Sequence, residues 1–354
     1  MLNQDFWRGR RVLLTGHTGF KGAWLTMWLE SLGAEVVGFS RSPPSTPALF
    51  ELANCGERTR SVCGDVRSTD DVDAAVRDAR PEVVIHMAAE ALVRRSLGDP
   101  VTTYAVNVVG TANVMDAVRR LGDEVRTVVC VTTDKCYLNR EWEWAYREDE
   151  PLGGKDPYSS SKACQEMVAA AFRDSYLAER GVGVATARAG NVIGGGDFAE
   201  DRLVPDLMRA ALAGDPMVVR NPAAIRPWQH VLNPLSGYLL LVEHLWDAPA
   251  EFSTGWNLGP ADADARPVSW IVERLRDQWP GEVQVEIAGQ SDAKEAMALK
   301  LDSSRARARL GWHPGWGLEL GLDATVEWYA GFRDGVDVRK LCEQQIARFS
   351  DDTT

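Results

Sequence analysis

The sequence has no long apolar run, no paired-cysteine spacing and no basic cluster, and each absence removes a class of function. No stretch of the 354 residues is apolar over the length a bilayer-spanning helix needs. The opening MLNQDFWRGRR lacks the apolar centre of a secretory signal, so a soluble, cytoplasmic protein without a membrane partner is expected. The six cysteines (Cys55, Cys63, Cys130, Cys136, Cys164 and Cys342) form no CxxC pair and no metal-ligand spacing. Reduced thiols are therefore expected, rather than disulfides or zinc. Lys and Arg total 39 against 51 Asp and Glu, a net charge of −12. Binding to a nucleic-acid backbone needs clustered Lys and Arg, so a nucleic-acid partner is disfavoured, although a local basic pocket for one nucleotide is not. No internal repeat or low-complexity tract appears, and the closing SDDTT is expected to fray.

What is present is an alternation. Short β-branched runs at 11–15, 35–40, 60–65, 83–87, 126–132 and 183–188 read as strands. Helical patterns at 21–32, 69–79, 100–121 and 159–180 lie between them. Continuous apolar strands imply a sheet covered on both faces. Strands separated by helix-length segments imply βαβ units. The expected fold is α/β, a Rossmann-type doubly wound parallel sheet over 1–190. A smaller C-terminal substrate-binding lobe is expected over 191–350, with some segments returning to the sheet.

In LLTGHTGFKGAWL, Gly16, Gly19 and Gly22 stand three apart between the first strand and the first helix. Glycines there allow a tight turn and close approach of a pyrophosphate to a helix N-terminus, which points to a dinucleotide, NAD or NADP. Thr18 and Phe20 lie in the same turn. An acidic residue ordinarily ends the second strand and binds the adenosine ribose of NAD, but this chain has Ser40-Arg41. Arg41 either receives a 2′-phosphate or is a solvated loop arginine. Asp65 and Val66 are placed to contact adenine, and Ala88 and Ala89 offer small residues where the dinucleotide passes. Asn107, Thr132, Tyr158 and Lys162 complete the expected cofactor set.

Two further segments carry chemistry. VTTDKCY ends a buried strand with Thr133, Asp134 and Lys135, and DPYSSSK puts Tyr158 and Lys162 on one helix face. A free tyrosine ionises near pH ~10, and a neighbouring ammonium and a cationic nicotinamide ring both favour the tyrosinate that a general base requires. The bland alternatives are a surface YxxxK and an Asp134–Lys135 salt bridge.

Together, TGHTGFKG, VTTDKCY, DPYSSSK, ARAGNVIGGGD and RPWQHV resemble the extended short-chain dehydrogenase/reductase family, and within it the sugar-nucleotide 4,6-dehydratases. The resemblance implies a nucleotide-sugar substrate, CDP-glucose in the branch most similar to this chain, and a lyase reaction with catalytic NAD(P) and no metal. Tyr158 takes the 4-hydroxyl proton, Asp134 protonates the departing 6-hydroxyl, and Lys135 removes the proton on carbon 5, while Thr133 shares a substrate hydroxyl. Asn191 and Arg202 are expected to meet the diphosphate and nucleoside; Arg226 either grips a phosphate or forms an interlobe ion pair, and Trp228, Trp142 and Trp144 either line the sugar or belong to the core. One position departs from the family. Gln-Pro usually follows the two alanines, but here Glu90-Ala91 does, and Glu90 is expected to face the sugar. Two other readings stand: a dehydratase or epimerase for a different nucleotide or hexose, and a non-catalytic nucleotide sensor. Apolar residues on several helix faces (Val101, Tyr104, Val108; Met167, Val168, Phe172) suggest a homodimer or larger homo-oligomer.

Overall fold

Runs of four to six buried residues in β1 (Arg11–Thr15), β4 (Val83–His86), β5 (Thr127–Val131) and β6 (Gly183–Arg188) leave each strand covered on both faces. In the computed structural model, which describes residues 2–219, 221–287 and 299–353, they pair in parallel with β2 (Glu35–Ser40) and β3 (Arg60–Cys63). Alternate residues feed two cores. Val83, Ile85, Val129 and Val131 face Trp24 and Trp28, whereas Val84, Val128 and Cys130 face Val76 and Val118.

The C-terminal half supplies short strands: β7 (Val192–Ile193), β8 (Met217–Val219), β9 (Ile225–Pro227), β10 (Gln229–His230), β11 (Gly255–Asn257), β12 (Ala265–Pro267) and β13 (Val285–Ile287). β7 pairs with β10, β8 with β13, and β9 with β12. β11 returns to the main sheet beside β6, so its order is β11-β6-β5-β4-β1-β2-β3. The C-terminal helix, Val338–Asp352, also returns and packs on the helix Phe20–Ser31.

The differences from expectation are local. The third strand stops at Cys63, and the fifth spans Thr127–Val131. The two long helices each contain a π turn, Ala105–Val109 and Arg173–Leu177. The closing residues are not frayed: the helix runs through Asp352, which accepts a 2.9 Å bond from the Trp316 indole, and Phe349 packs edge-on against Trp28. Thr354 lies outside the described residues. All six cysteines are free, and among the described residues no group of three His, Cys, Asp or Glu side chains is arranged to hold a metal. No helix among the described residues is long and apolar enough to cross a membrane.

Candidate active site

The glycine turn is tight for identifiable reasons. Gly16 has φ 79°, and a Cβ there would lie 2.7 Å from the Ala88 nitrogen. A Cβ on Gly22 would overlap the Gly16 carbonyl. Gly19 caps the helix Phe20–Ser31 with no side chain, so the first helical N–H groups keep no side-chain partner. A cradle that a Cβ would fill, facing bare helix N–H groups, fits a pyrophosphate. The Thr15 hydroxyl accepts from the N–H groups of Met87 and Ala88 (3.1 Å each) and so ties β1 to the loop after β4, which continues into Ala89. The Thr18 hydroxyl meets that of Ser40 at 2.8 Å and donates to the Arg41 carbonyl, fastening the turn to the end of β2. The Asp65 carboxylate is forked by Arg67 (2.6–3.1 Å), whose hydrogen bonds hold it below the usual carboxylate range, and Val66 beside it is buried.

Three residues of the expected cofactor set have partners within the protein. The Asn107 amide, set in the π turn, clamps the Glu90 backbone on both sides (2.9 and 3.0 Å) and meets Ser161 at 2.9 Å. The Thr132 hydroxyl donates to Glu166 at 2.5 Å, deep beneath the site. Arg41 is neither a free anion receptor nor merely solvated, because it pairs with Glu90 at 2.7 Å. Glu90, expected to face the sugar, has its two oxygens held by Arg41 and Arg95.

At the mouth of β5, Thr133, Asp134 and Lys135 enter a 3₁₀ turn, Asp134–Cys136. The Thr133 hydroxyl donates to Asp134 Oδ1 (2.9 Å), accepts from the Lys135 N–H (3.3 Å) and lies close enough to the Tyr158 hydroxyl to influence its ionisation. Asp134, 2% exposed, sits directly on the Cα of Gly190, where any Cβ would overlap its carboxylate. The Asp134 and Lys135 side chains make no ion pair with each other within 4.0 Å, so that bland alternative is not what the fold adopts. Tyr158 stands in the first turn of the helix Pro157–Phe172, capped by Asp156. One turn on, Lys162 donates to the Gln165 side chain (2.8 Å) and the Val131 carbonyl (3.3 Å).

In the protein alone, the surroundings of Tyr158 oppose its ionisation. Burial raises its pKa to about 12, with Asp134 adding to the rise and the Thr133 hydrogen bond opposing it. Lys162 is pulled down to about 7 by burial and by the nearby Lys21 ammonium, which weakens the positive charge expected to favour tyrosinate.

Several residues of the site escaped the sequence reading. Lys21, in the glycine turn, comes 3.4 Å from the Tyr238 hydroxyl. Burial and Arg202 lower its pKa to about 8, against the opposing pull of Asp134 and Asp197. A cation in the first turn opposes the helix dipole, and that was the legible signal. Behind the site, buried Glu166 accepts from Thr132, Thr186 and Arg188, and Arg188 also donates to Tyr137 at 2.6 Å. This ion pair has its hydrogen bonds filled, the condition under which burial of charge is tolerated.

The expected substrate residues are spread wider. Arg202 pairs with buried Asp197 at 2.9 Å and lies in the electrostatic reach of Tyr158 and Lys21. Asn191 turns the chain after β6 with φ 43°, and its carbonyl accepts from Gln229. Arg226 lies on β9 opposite Arg266, and Trp228 is buried beside β10 with its indole N–H unpartnered. Trp142 stacks on Tyr146 at 5.4 Å, whereas Trp144 is 68% exposed.

The profile of the GDP-mannose 4,6-dehydratase family matches residues 13–325. The chain belongs to that family. Its members are extended short-chain dehydrogenase/reductase proteins, consistent with the sheet order and with Tyr158 and Lys162. The chain is similar to a CDP-glucose 4,6-dehydratase of Salmonella typhimurium, 45% identical with all of both chains covered. It is 32% identical to a dTDP-glucose 4,6-dehydratase of Streptomyces griseus, covering 90% of this chain and 93% of that one. In fold it matches the dTDP-glucose 4,6-dehydratase DesIV from Streptomyces venezuelae, solved with NAD and TYD bound, at TM-score 0.77 and 24% identity over 92% of this chain and 99% of that one. A UDP-glucose 4-epimerase of Thermotoga maritima, solved with UDP-glucose, matches at TM-score 0.78 and 21% identity, with 92% and 99% covered. The fold is thus shared by dehydratases and epimerases, and the family's chemistry has to be read from the site.

Proposed function

We propose that this protein is a CDP-glucose 4,6-dehydratase, converting CDP-D-glucose to CDP-4-keto-6-deoxy-D-glucose with NAD as a regenerated cofactor. The observation that carries the reading is the full-length 45% identity to the Salmonella enzyme, joined to Asp134 and Lys135 standing beside Thr133 and Tyr158. An epimerase needs no acid and base for elimination.

The glycine turn and the loop after β4 would hold NAD, which would supply a reversible hydride acceptor. Tyr158 withdraws the 4-hydroxyl proton, and a Thr133 hydroxyl turned from Asp134 toward it would favour the ionised form. The ketone so formed acidifies carbon 5. Lys135 takes that proton, and Asp134 gives one to the 6-hydroxyl as water leaves. Gly190 and Thr133 fix the Asp134 carboxyl in a dry position, where an acid and base already in place contribute typically ~100- to 10,000-fold. Arg202, Asn191, Arg226 and Trp228 are assigned to the nucleotide sugar.

The chain is further proposed to work in the cytoplasm as a homodimer or larger homo-oligomer, with residues 1–190 holding the dinucleotide and 191–350 mainly the sugar nucleotide. Supporting the oligomer, Val101, Tyr104, Val109, Met167 and Tyr176 are all exposed on the two long helices. Incubation with CDP-, dTDP-, UDP- and GDP-glucose tests the activity. Loss of water from CDP-glucose is expected, and its absence with turnover of another nucleotide sugar would move the assignment.

A further inference from the structure

Arg41 follows β2 and Glu90 lies in the loop after β4, with β1 and its glycine turn between them. Their side chains nevertheless meet across that edge, Arg41 Nη2 standing 2.7 Å from Glu90 Oε1. The acid is the fixed partner. Its backbone N–H and carbonyl are both clamped by Asn107, its second oxygen has Arg95 at 3.4 Å, and its side chain is 8% exposed. Arg41 is the looser partner at 46% exposed, although its carbonyl is held by Thr18. The surrounding charges are already matched: Arg67 is forked on Asp65, and Asp99 lies within electrostatic reach of Arg67 and Arg95.

We propose that Glu90 sets the dinucleotide selectivity of this chain by holding Arg41 in an ion pair, so that NAD is taken in preference to NADP. The inference rests on the reading of the glycine turn as a dinucleotide site. In this fold an arginine after the second strand is the group that accommodates a 2′-phosphate, and a guanidinium does so by bidentate contact. To do it here Arg41 must leave Glu90. The nearly buried carboxylate would then keep only the longer Arg95 contact, and a carboxylate so placed is destabilised by losing a partner. The incoming phosphate would also bring negative charge beside that carboxylate. A ribose 2′-hydroxyl meets neither obstacle. Glu90 thus selects by penalising the wrong ligand, although the usual ribose-binding acid at the end of β2 is missing.

Dissociation constants for NAD⁺ and NADP⁺, measured by calorimetry on the full chain without sugar nucleotide, test this directly. The unmodified protein is expected to bind NAD⁺ at least ~10-fold more tightly, and Glu90→Gln to tighten NADP⁺ by ~10-fold or more with little change for NAD⁺. Adding Arg41→Ala to Glu90→Gln should erase that gain, because the freed guanidinium supplies it. Arg41→Ala alone should leave NADP⁺ binding within about twofold of the unmodified value, since a pinned arginine contributes nothing to it. That single variant decides the matter should Glu90→Gln fail to fold. Equal or tighter NADP⁺ binding by the unmodified protein, a folded Glu90→Gln with an unchanged ratio, or loss of NADP⁺ affinity in Arg41→Ala would each overturn the proposal. Binding of neither dinucleotide would instead remove the cofactor reading, and the proposal with it.

Discussion

Thr133, Asp134 and Lys135 are consecutive, yet the fold gives them different surroundings. The Asp134 carboxyl is buried on Gly190, while Lys135 is only half-buried and contributes its N–H to Thr133. An acid and a base that do not neutralise each other are what an elimination needs, and separating them from the Tyr158 step is experimentally accessible. Tyr158→Phe should abolish every stage. Asp134→Asn and Lys135→Met should leave the first oxidation intact and slow product release of water by ~100- to 10,000-fold. Stopped-flow absorbance should then show reduced nicotinamide accumulating on the enzyme. Product formation by both variants at the unmodified rate would remove Asp134 and Lys135 from the chemistry.

At the level of elements, the middle of the sheet was legible because β1, β4, β5 and β6 are buried on both faces, which writes continuous apolar runs into the sequence. β11 was not, since Gly255-Trp256-Asn257 is three residues long and carries no such run. The π turn that redirects Asn107 leaves no mark on helical periodicity either. Of the site, the residues with a local motif (Gly16, Tyr158, Lys162) were readable. Those defined by a partner far along the chain were not: Arg41 reads as a loop arginine until Glu90, distant in sequence, comes to 2.7 Å. Glu166 and Arg188 likewise needed the packing of the helix Pro157–Phe172 on β6. The turn after β6 offers its own test. Gly190→Ala would push on the Asp134 carboxyl, and a displacement of that order is worth ~100-fold in rate. Dehydration is expected to fall by that factor while the first oxidation persists, and an unaltered rate in a folded variant would contradict the seating of Asp134.

Across the whole molecule, the two long helices present exposed apolar residues on a surface that the other described residues leave uncovered, and monomers seldom keep such patches free. Replacing two of them, as in Val101→Glu with Met167→Glu, is expected to shift sedimentation from an oligomer to a monomer. An unmodified protein that sediments as a monomer at micromolar concentration would refute the assembly. The same fold serves epimerases and dehydratases, so the central claim is about where atoms go. CDP-glucose deuterated at carbon 4 tests it most directly, followed by mass spectrometry and NMR of the product. The account predicts a product lighter by one water, with the deuterium in the new methyl group at carbon 6. Deuterium retained at carbon 4 in a product of unchanged elemental composition would contradict it.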